Sequence, residues 1–125
     1  MTIRKEIVER YFEGFRRQDH AMILALLTDD VTWYLPGHAT LEGKDAFDGE
    51  ISNPSFEGQP ELQIDHLVED DDLVVAIGEG RALFAGGDPF RFAYCDAFTF
   101  EGDLIRRVES YVVPLDQNPL VSPEA

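Results

Sequence analysis

The sequence has few cysteines, few basic residues and no long apolar run. Cys95 is the only cysteine, so the chain cannot form an internal disulfide. Ten Lys and Arg stand against 25 Asp and Glu, and the resulting formal charge of -15 repels both nucleic acid and anionic lipid surfaces. No apolar stretch approaches the roughly 20 residues of a membrane-spanning helix, and the charged N-terminus differs from a signal peptide. These absences predict a cytoplasmic protein that binds neither nucleic acid nor membranes.

Motifs for metals, nucleotides and covalent hydrolysis are also missing. His20, His38 and His66 do not show metal-ligand spacing with one another or with Cys95, which predicts that no metal is bound. The glycines of residues 78–80 lie inside a strand pattern that no helix follows, unlike a phosphate-binding loop. No serine lies in a nucleophile elbow or close in sequence to a companion base. The remaining chemistry is acid/base catalysis or simple binding.

The first half of the chain predicts three helices and one strand. With 125 residues and 44% hydrophobic content, residues 1–125 can form one domain without disulfide or metal support. Helical apolar spacing runs from Ile3 to Arg17, and a second helix is expected after Asp19, with Leu27 facing inward before the helix ends at residues 28–30. A β-branched and aromatic strand follows at residues 31–35, and a third helix is expected at residues 44–51.

The second half predicts a meander of long strands. Apolar and polar residues alternate from Leu62 to Val68, a Val/Ala/Leu-rich run spans residues 73–84, and two further strands follow after short turns. Short turns join antiparallel neighbours, whereas parallel neighbours need long crossovers, so the pattern indicates an α+β fold with an antiparallel sheet. The proline-containing tail, about residues 115–125, is predicted to be an extended arm.

One carboxyl group shares a strand face with aromatic rings. Alternation along residues 92–100 places Asp96 on the same face as Phe92, Tyr94, Phe98 and Phe100. An ionised and unpaired carboxylate there costs several kcal/mol, which favours a raised pKa or a dedicated partner. Either suits an acid, a base or a ligand contact. The alternative is that Asp96 reaches water near a strand end or pairs with an arginine.

Other candidate residues carry weaker signals. On the last strand, alternation places Glu109 and Tyr111 on the face opposite Ser110, but it does not tell which face is buried. Trp33 and Leu35 share a face of the first strand, where large side chains are more often core than ligand platform. His38 follows a turn and is either a solvated loop residue or a general base at a pocket mouth.

Two segments resemble a known superfamily. They are IVERYFEGFRRQDHAMILALLTDDVTWYLPG and DAFTFEGDLIRRVESY, which are similar to nuclear-transport-factor-two-like proteins of the SnoaL-like polyketide cyclase and ketosteroid isomerase group. The shared features are an Asp opening the second helix, an L-x-D-D-V-x-W entry into the first strand, and a late D-x-F-x-F-x-G-x-x-I hairpin. The resemblance implies a cone-like curved antiparallel sheet whose three helices cover an apolar pocket, and a homodimer formed through the outer sheet face.

The resemblance also implies roles for particular residues. Asp96 matches the pocket acid/base residue of the polyketide cyclases, and Tyr11 matches the oxyanion-hole tyrosine of ketosteroid isomerase. Leu35 occupies the position of that isomerase's general base, so His38, Glu109 or Asp96 would have to act as base. The pocket walls are expected from the aromatic and apolar residues Trp33, Leu35, Tyr94, Phe98 and Tyr111.

These observations lead to a functional hypothesis and a rival. The hypothesis is a cofactor-independent enzyme of the isomerase, cyclase or dehydratase type that acts on an apolar, carbonyl-bearing small molecule, with Asp96 and Tyr11 as catalytic residues. The rival is a non-catalytic module that binds a small molecule or serves as a dimeric interaction scaffold, because the fold hosts many activities and the usual base is absent.

Overall fold

The computed structural model describes residues 2–115, so all but the first residue of the predicted C-terminal arm lies outside the described residues. Three helices and six strands follow one another along this part of the chain. In order they are α1 (Ile3–Arg17), α2 (His20–Leu24), β1 (Leu27–Leu35), β2 (Ala39–Glu42), α3 (Lys44–Ile51), β3 (Phe56–Asp70), β4 (Leu73–Phe84), β5 (Pro89–Glu101) and β6 (Leu104–Pro114).

The first two helices form a tight hairpin. The Thr2 side chain caps α1, the left-handed Gln18 ends it, and the Asp19 side chain accepts a hydrogen bond from the Met22 backbone to cap α2. Gly14 allows the two helices to touch, because a Cβ at this position would lie 2.5 Å from the Ile23 side chain. These local signals are visible in the sequence, and both helices begin where the sequence predicts.

The boundary between α2 and β1 differs from the prediction. The helix ends at Leu24, and Leu27 begins a strand that includes the residues expected to terminate the helix. The reason is tertiary: Leu27 pairs with Ile105 of β6, and the Leu26 carbonyl accepts a hydrogen bond from the Ile105 backbone. The strand β2, which the sequence analysis does not predict, pairs antiparallel with β1 across the turn at residues 36–38.

The six strands form one curved, unclosed sheet in the order β2-β1-β6-β5-β4-β3. The predicted meander from β3 to β6 is antiparallel, whereas β1 lies parallel to β6. The sheet is therefore mixed, because β1 and β6 are far apart in sequence and no tight turn restricts their direction. The α+β class and the curved sheet with three helices that the sequence predicts are confirmed.

Two glycines in β4 bring the next strand's rings down onto the sheet. Gly78 faces Tyr94, and the Tyr94 hydroxyl crosses above it to donate a 2.8 Å hydrogen bond to the Gln63 carbonyl of β3. A Cβ at Gly78 would lie 1.9 Å from that carbonyl oxygen and 2.7 Å from the Tyr94 hydroxyl. Gly80 similarly lies beneath the Phe92 ring. The inner face of the sheet therefore accepts large rings without lifting them away from the strands.

The helices cover part of this inner face and build the core against it. Buried side chains from α1, α3 and the central strands include Val8, Tyr11, Phe47, Phe98 and Val108. Among residues 2–115, no helix is long and apolar enough to cross a membrane. The cytoplasmic location and the absence of nucleic-acid binding stay predictions.

Candidate active site

A cavity of about 590 Å³ opens between the helices and the inner face of the sheet. Its walls come from α1, β1, the end of α3 with the loop that follows, and the inner faces of β3 to β6. Most of the lining side chains are aromatic or aliphatic. The lining residues are Tyr11, Phe12, Phe15, Gln18, Trp33, Leu35, Glu50, Ile51, Ser52, Asn53, Pro54, Phe56, Glu57, Gly58, Pro60, Leu62, Ala82, Phe90, Phe92, Tyr94, Asp96, Ser110 and Val112.

The buried end of the cavity contains a short polar chain. Asp96 on β5 lies directly opposite Ser110 on β6, and directly opposed residues of an antiparallel pair share one face of the sheet. The Trp33 indole Nε1 donates a 2.9 Å hydrogen bond to the Ser110 Oγ. This bond uses Ser110 as an acceptor, so the Ser110 hydroxyl hydrogen remains available to Asp96. Trp33, Ser110 and Asp96 thus orient one another.

The Asp96 carboxyl group titrates near neutral pH. Only 8% of the residue is exposed. Burial raises the pKa of Asp96 to about 7, while the hydrogen bond from Ser110 acts in the opposite direction and favours the ionised form. No Lys or Arg in residues 2–115 forms an ion pair with Asp96. A carboxyl group with this pKa can both accept and return a proton at physiological pH.

Tyr11 presents a protonated hydroxyl to the same space. Burial raises the pKa of Tyr11 well above its usual value, and the nearby negative charge of Asp96 raises it further. No protein group in residues 2–115 is hydrogen-bonded to the Tyr11 hydroxyl. In that part of the chain, the Thr28 hydroxyl oxygen is the only side-chain oxygen or nitrogen that is both inaccessible to solvent and without a hydrogen-bond partner. The Tyr11 hydroxyl also lacks a partner but lines the cavity, so it is accessible. The Tyr11 hydroxyl therefore reaches the cavity and is free to donate a hydrogen bond to a ligand.

Three further residues that the sequence analysis proposes as walls border the cavity. Trp33, Leu35 and Tyr94 all line the cavity. Leu35 has no group that accepts a proton, so β1 supplies no base to this cavity. The Tyr94 hydroxyl is already bonded to the Gln63 carbonyl, and burial together with the charge of Asp96 raises its pKa. Tyr94 is thus a wall residue, and Tyr11 is the phenol available to a ligand.

Phe98 does not line the cavity, contrary to the prediction. Its ring is fully buried, with the Tyr11 ring 4.9 Å away and the Phe12 ring 5.9 Å away, centre to centre. The residue is on the expected face of β5, but α1 covers that point of the strand completely. Phe98 therefore belongs to the solid core beneath Tyr11.

The placement predicted for Glu109 and Tyr111 requires a correction. Both lie on the outer face of β6, where the Tyr111 hydroxyl donates a 3.1 Å hydrogen bond to Glu109 and Arg107 lies 3.6 Å from the same carboxylate. An irregularity in the pairing of β5 with β6, between Thr99 and Phe100, shifts the register by one residue. Since a shift of one residue reverses the faces, Ser110 takes the inner position opposite Asp96.

His38 also lies outside the cavity lining. Its side chain is 61% exposed, and its Nε2 lies 3.7 Å from the Oε2 of Glu50. The turn after β1 carries His38 outward, whereas Glu50, on the last turn of α3, lines the cavity. The prediction of His38 as a substrate contact therefore does not agree with this placement.

Sequence reasoning misses Ser110 and the acidic residues of the cavity rim, Glu50 and Glu57. Ser110 alternates with the buried Val108, a signal that supports an inward direction once the face of Val108 is known. Glu50 and Glu57 carry no such signal, because only the path of the loop after α3 brings them to the cavity. No group of three or more potential metal ligands is present in residues 2–115, and the absence of a metal or cofactor stays a prediction.

Residues 8–108 match the family model of the SnoaL-like domain. The chain belongs to the SnoaL-like domain family. No curated protein matches it. Solved structures with the same fold include an NTF2-like protein of unknown function from Burkholderia pseudomallei, which is 22% identical, with 90% of this chain and 92% of that chain covered at a TM-score of 0.81.

Two more solved structures extend the comparison. TerC, co-crystallised with polyporic acid, is 20% identical and covers 90% of this chain and 92% of its own, with a TM-score of 0.81. A protein from Xanthomonas campestris that is provisionally described as a polyketide cyclase is 24% identical, with 87% of this chain and 89% of that chain covered at a TM-score of 0.79. At these identities the similarity establishes the shared fold and carries no individual activity over to this SnoaL-like protein.

Proposed function

We propose that this SnoaL-like protein is a cofactor-independent enzyme that moves a proton on an apolar, carbonyl-bearing small molecule, with Asp96 as the acid/base residue and Tyr11 as the hydrogen-bond donor. One observation carries the proposal. A carboxyl group without a cationic partner in residues 2–115 lies at the buried end of a largely aromatic cavity, and its pKa is raised to about 7. Burial of this kind is a common way to prepare a carboxyl group for proton transfer at neutral pH.

The chemistry follows from the two side chains. The Asp96 carboxylate removes a proton from the carbon beside the substrate carbonyl, and the electron pair of that C–H bond forms a C=C bond while the carbonyl π pair moves onto oxygen. The Tyr11 hydroxyl donates a hydrogen bond to the developing oxyanion. Asp96, now protonated, returns the proton to another position. Isomerisation, aldol-type cyclisation and dehydration of a β-hydroxy carbonyl compound can all begin with this step.

Leu35 supports assigning both proton transfers to one residue. A hydrocarbon side chain stands where a second carboxylate is expected by resemblance to ketosteroid isomerase, and Glu50 and Glu57 are located at the cavity rim. Asp96 is therefore the carboxyl group of the buried end. TerC shares the fold and was co-crystallised with polyporic acid, which supports a small-molecule role for a cavity of this architecture.

Deuterium incorporation tests the proposed step without knowledge of the substrate. We expect the protein in D₂O to accelerate exchange of the protons beside the carbonyl of 2-tetralone above the buffer rate, as followed by NMR. The Asp96→Asn variant should lose about 100-fold of this rate, the usual contribution of a positioned base. Since Asp96 acts as a base when ionised, the rate should rise with pH and level off above about pH 7.

Asp103→Asn is the matched control, because Asp103 is an exposed carboxyl in the turn between β5 and β6. It should exchange 2-tetralone as fast as the unmodified protein. Equal rates for Asp96→Asn and the unmodified protein would refute the role of Asp96. Binding of the ketone without accelerated exchange would instead support the non-catalytic binding module, which the hydrocarbon at position 35 also favours.

We further propose that the protein is a homodimer that pairs through the outer face of the sheet. Large apolar side chains are exposed on this face, including Ile77, Tyr111 and Val113, and they surround the half-buried Cys95. Exposed apolar patches on a curved sheet are typical of contact surfaces. Sedimentation equilibrium should give twice the monomer mass of 14.1 kDa, and a monomer at all concentrations would contradict the proposal.

A further inference from the structure

The ionisable side chains that line the cavity are unevenly charged. Three carboxyl residues, Glu50, Glu57 and Asp96, contribute to the lining, whereas no Lys, Arg or His of residues 2–115 does so. Among residues 2–115, a ligand in this space therefore meets three carboxyl groups and no cationic side chain. The imbalance is local as well as global, since the whole chain has a formal charge of -15.

The basic residues that form ion pairs in the described part of the chain do so elsewhere. Among the ion pairs that Lys and Arg form within residues 2–115, none involves Glu50, Glu57 or Asp96. The pairs are Arg4 with Asp72, Arg16 and Arg17 with Glu13, Lys44 with Asp29, Arg81 with Glu61, and Arg107 with Glu109. Within residues 2–115, the polar partners of the Glu50 carboxylate are the Asn53 amide at 3.0 Å and the exposed His38 imidazole at 3.7 Å. The cavity carboxylates thus have no Lys or Arg partner within the part of the chain that the structure describes.

Aromatic rings adjoin the acidic rim. Phe56 and Phe90 both line the cavity, with ring centres 5.9 Å apart, and Phe90 lies 5.3 Å from Phe92. The faces of aromatic rings carry negative electrostatic potential and attract ammonium groups when water is excluded. Rings and carboxylates together form the kind of surroundings that bind an alkylammonium ion.

The buried end of the cavity offers a hydrogen-bond donor. Tyr11 is only 2% exposed, and its hydroxyl reaches the cavity without a protein partner in residues 2–115. A buried donor left unpaired is costly, so a ligand that supplies an acceptor is favoured there. A ligand that fits both features carries a hydrogen-bond acceptor at the end that enters the cavity and a cation at the end that lies at the rim.

We infer that the ligand of this cavity is an apolar molecule that carries an ammonium group, held at the rim by Glu50 and Glu57 and by the rings of Phe56 and Phe90. The inference deepens the proposed function and rests on it for the carbonyl group at Tyr11 and Asp96. Anionic ligands of the same size should bind more weakly, because three carboxyl groups line the cavity and no Lys, Arg or His of residues 2–115 does so.

Three probes of similar size test the charge preference. They are benzyltrimethylammonium, its uncharged carbon isostere neopentylbenzene, and the anion 4-phenylbutanoate. Trp33 is the only tryptophan and lies in the cavity wall, so its fluorescence reports binding, and calorimetry gives the affinity. We expect the cation to bind about tenfold more tightly than the isostere at pH 8 and low salt, and the anion to bind most weakly.

Rim variants locate the charge. Glu50→Gln and Glu57→Gln should each reduce the affinity for benzyltrimethylammonium several-fold and leave that for neopentylbenzene unchanged. Glu42→Gln is the matched control, since it removes the same charge from an exposed position on β2 that does not line the cavity. It should change neither affinity. Equal losses for all three variants would show a general charge effect and overturn the inference.

The remaining outcomes separate this inference from the proposed function. If neopentylbenzene or 4-phenylbutanoate binds as tightly as the cation, the ammonium preference is wrong while an apolar ligand site remains. If none of the three probes binds, the inference is overturned, and the proposal that this cavity binds an apolar substrate is contradicted as well. Accelerated exchange of 2-tetralone together with no charge preference would keep the catalytic proposal and reject the ammonium group.

Discussion

The inner face of β5 has a solid end and an open end. Toward Phe100 the inner face of the strand is covered by α1. The Arg4 guanidinium lies 5.3 Å from the centre of the Phe100 ring, and the Tyr11 ring packs on Phe98. Toward Phe90 the same alternation continues, but the rings are only half-buried and line the cavity. Asp96 lies between the two ends. Identical alternation thus produces core or cavity according to what covers the strand.

The position of Asp96 between the two ends gives this one carboxyl group its raised pKa. Asp96 is close enough to the solid end to lose water, and its side chain still reaches the cavity. Glu109, on the outer face of the neighbouring strand, has Arg107 and the Tyr111 hydroxyl beside it. The two carboxyl groups differ in their surroundings: burial without a Lys or Arg partner in residues 2–115 raises the pKa of Asp96, whereas Glu109 lies on the outer face beside Arg107.

The largest effect should come from truncation at the solid end. Phe98→Ala should reduce the free energy of unfolding by about 4 kcal/mol, because a fully buried ring is lost and the surroundings cannot close the gap. Phe92→Ala at the open end should cost about 1–2 kcal/mol, since this ring is only partly buried and already borders empty space. Urea unfolding measures both values. Similar losses at the two positions would remove the distinction between the two ends.

A second test examines Asp96, which lies between the solid and the open end, through the pH dependence of the free energy of unfolding. The pKa of Asp96 is about 7 in the folded protein and close to about 3.9 in the unfolded chain, so the folded state binds the proton more tightly. Stability contributed by this group is therefore present below pH 4 and is lost as pH rises toward 7. The loss reaches at most about 4 kcal/mol.

Asp96→Asn lacks this titration, so its stability relative to the unmodified protein should increase between pH 4 and 7 and stay constant above. Urea unfolding of both proteins over this range measures the difference, and the other carboxyl groups cancel. Tyr11 and Tyr94 face Asp96 and stay neutral throughout, because the pKa of each is raised. A difference that does not change with pH would mean that Asp96 is solvated in the folded protein.

The smallest effect is expected for Ser110→Ala. This change removes the acceptor of the Trp33 indole and the hydrogen bond to Asp96, at a cost of about 1–2 kcal/mol in the free energy of unfolding. Because the hydrogen bond from Ser110 lowers the pKa of Asp96, its loss should move that pKa further upward. NMR titration of the Asp96 side chain detects the shift. An unchanged pKa would contradict the proposed orientation of Asp96 by Ser110.

Particular residues show how far the sequence leads toward this site. Asp96 and Tyr94 could be placed on an aromatic face because β5 alternates regularly from Phe92 to Phe100. Glu109 and Ser110 could not be assigned correctly, since the register irregularity in β5 and β6 leaves no mark in the alternation. Pairing counted back from the turn between Glu101 and Leu104 would bring Glu109 opposite Asp96, and the irregularity brings Ser110 there. One residue of register separates these two sites.

The ends of the helices and strands and the cavity rim also depend partly on local sequence and partly on tertiary contacts. The caps at Thr2 and Asp19 are local, and the helices begin where these residues predict. The apolar spacing of Leu27 predicts a helical residue, but hydrogen bonding with β6 makes it a strand residue. Glu50 reaches the cavity through the position of α3, which depends on packing of Phe47 against Trp33, with ring centres 4.3 Å apart.

By itself the sequence determined the composition of the elements: three helices, an aromatic strand with one carboxyl residue, a meander of long strands, and an excess of acidic groups. These properties follow from local spacing and from residue chemistry, which act over a few residues. Only the tertiary structure decided that α1 covers β5 as far as Tyr94 and no further, that Ser110 faces Asp96, and that three carboxyl groups line one cavity. Those outcomes depend on strand register and on contacts between residues distant in sequence, which local preferences do not encode.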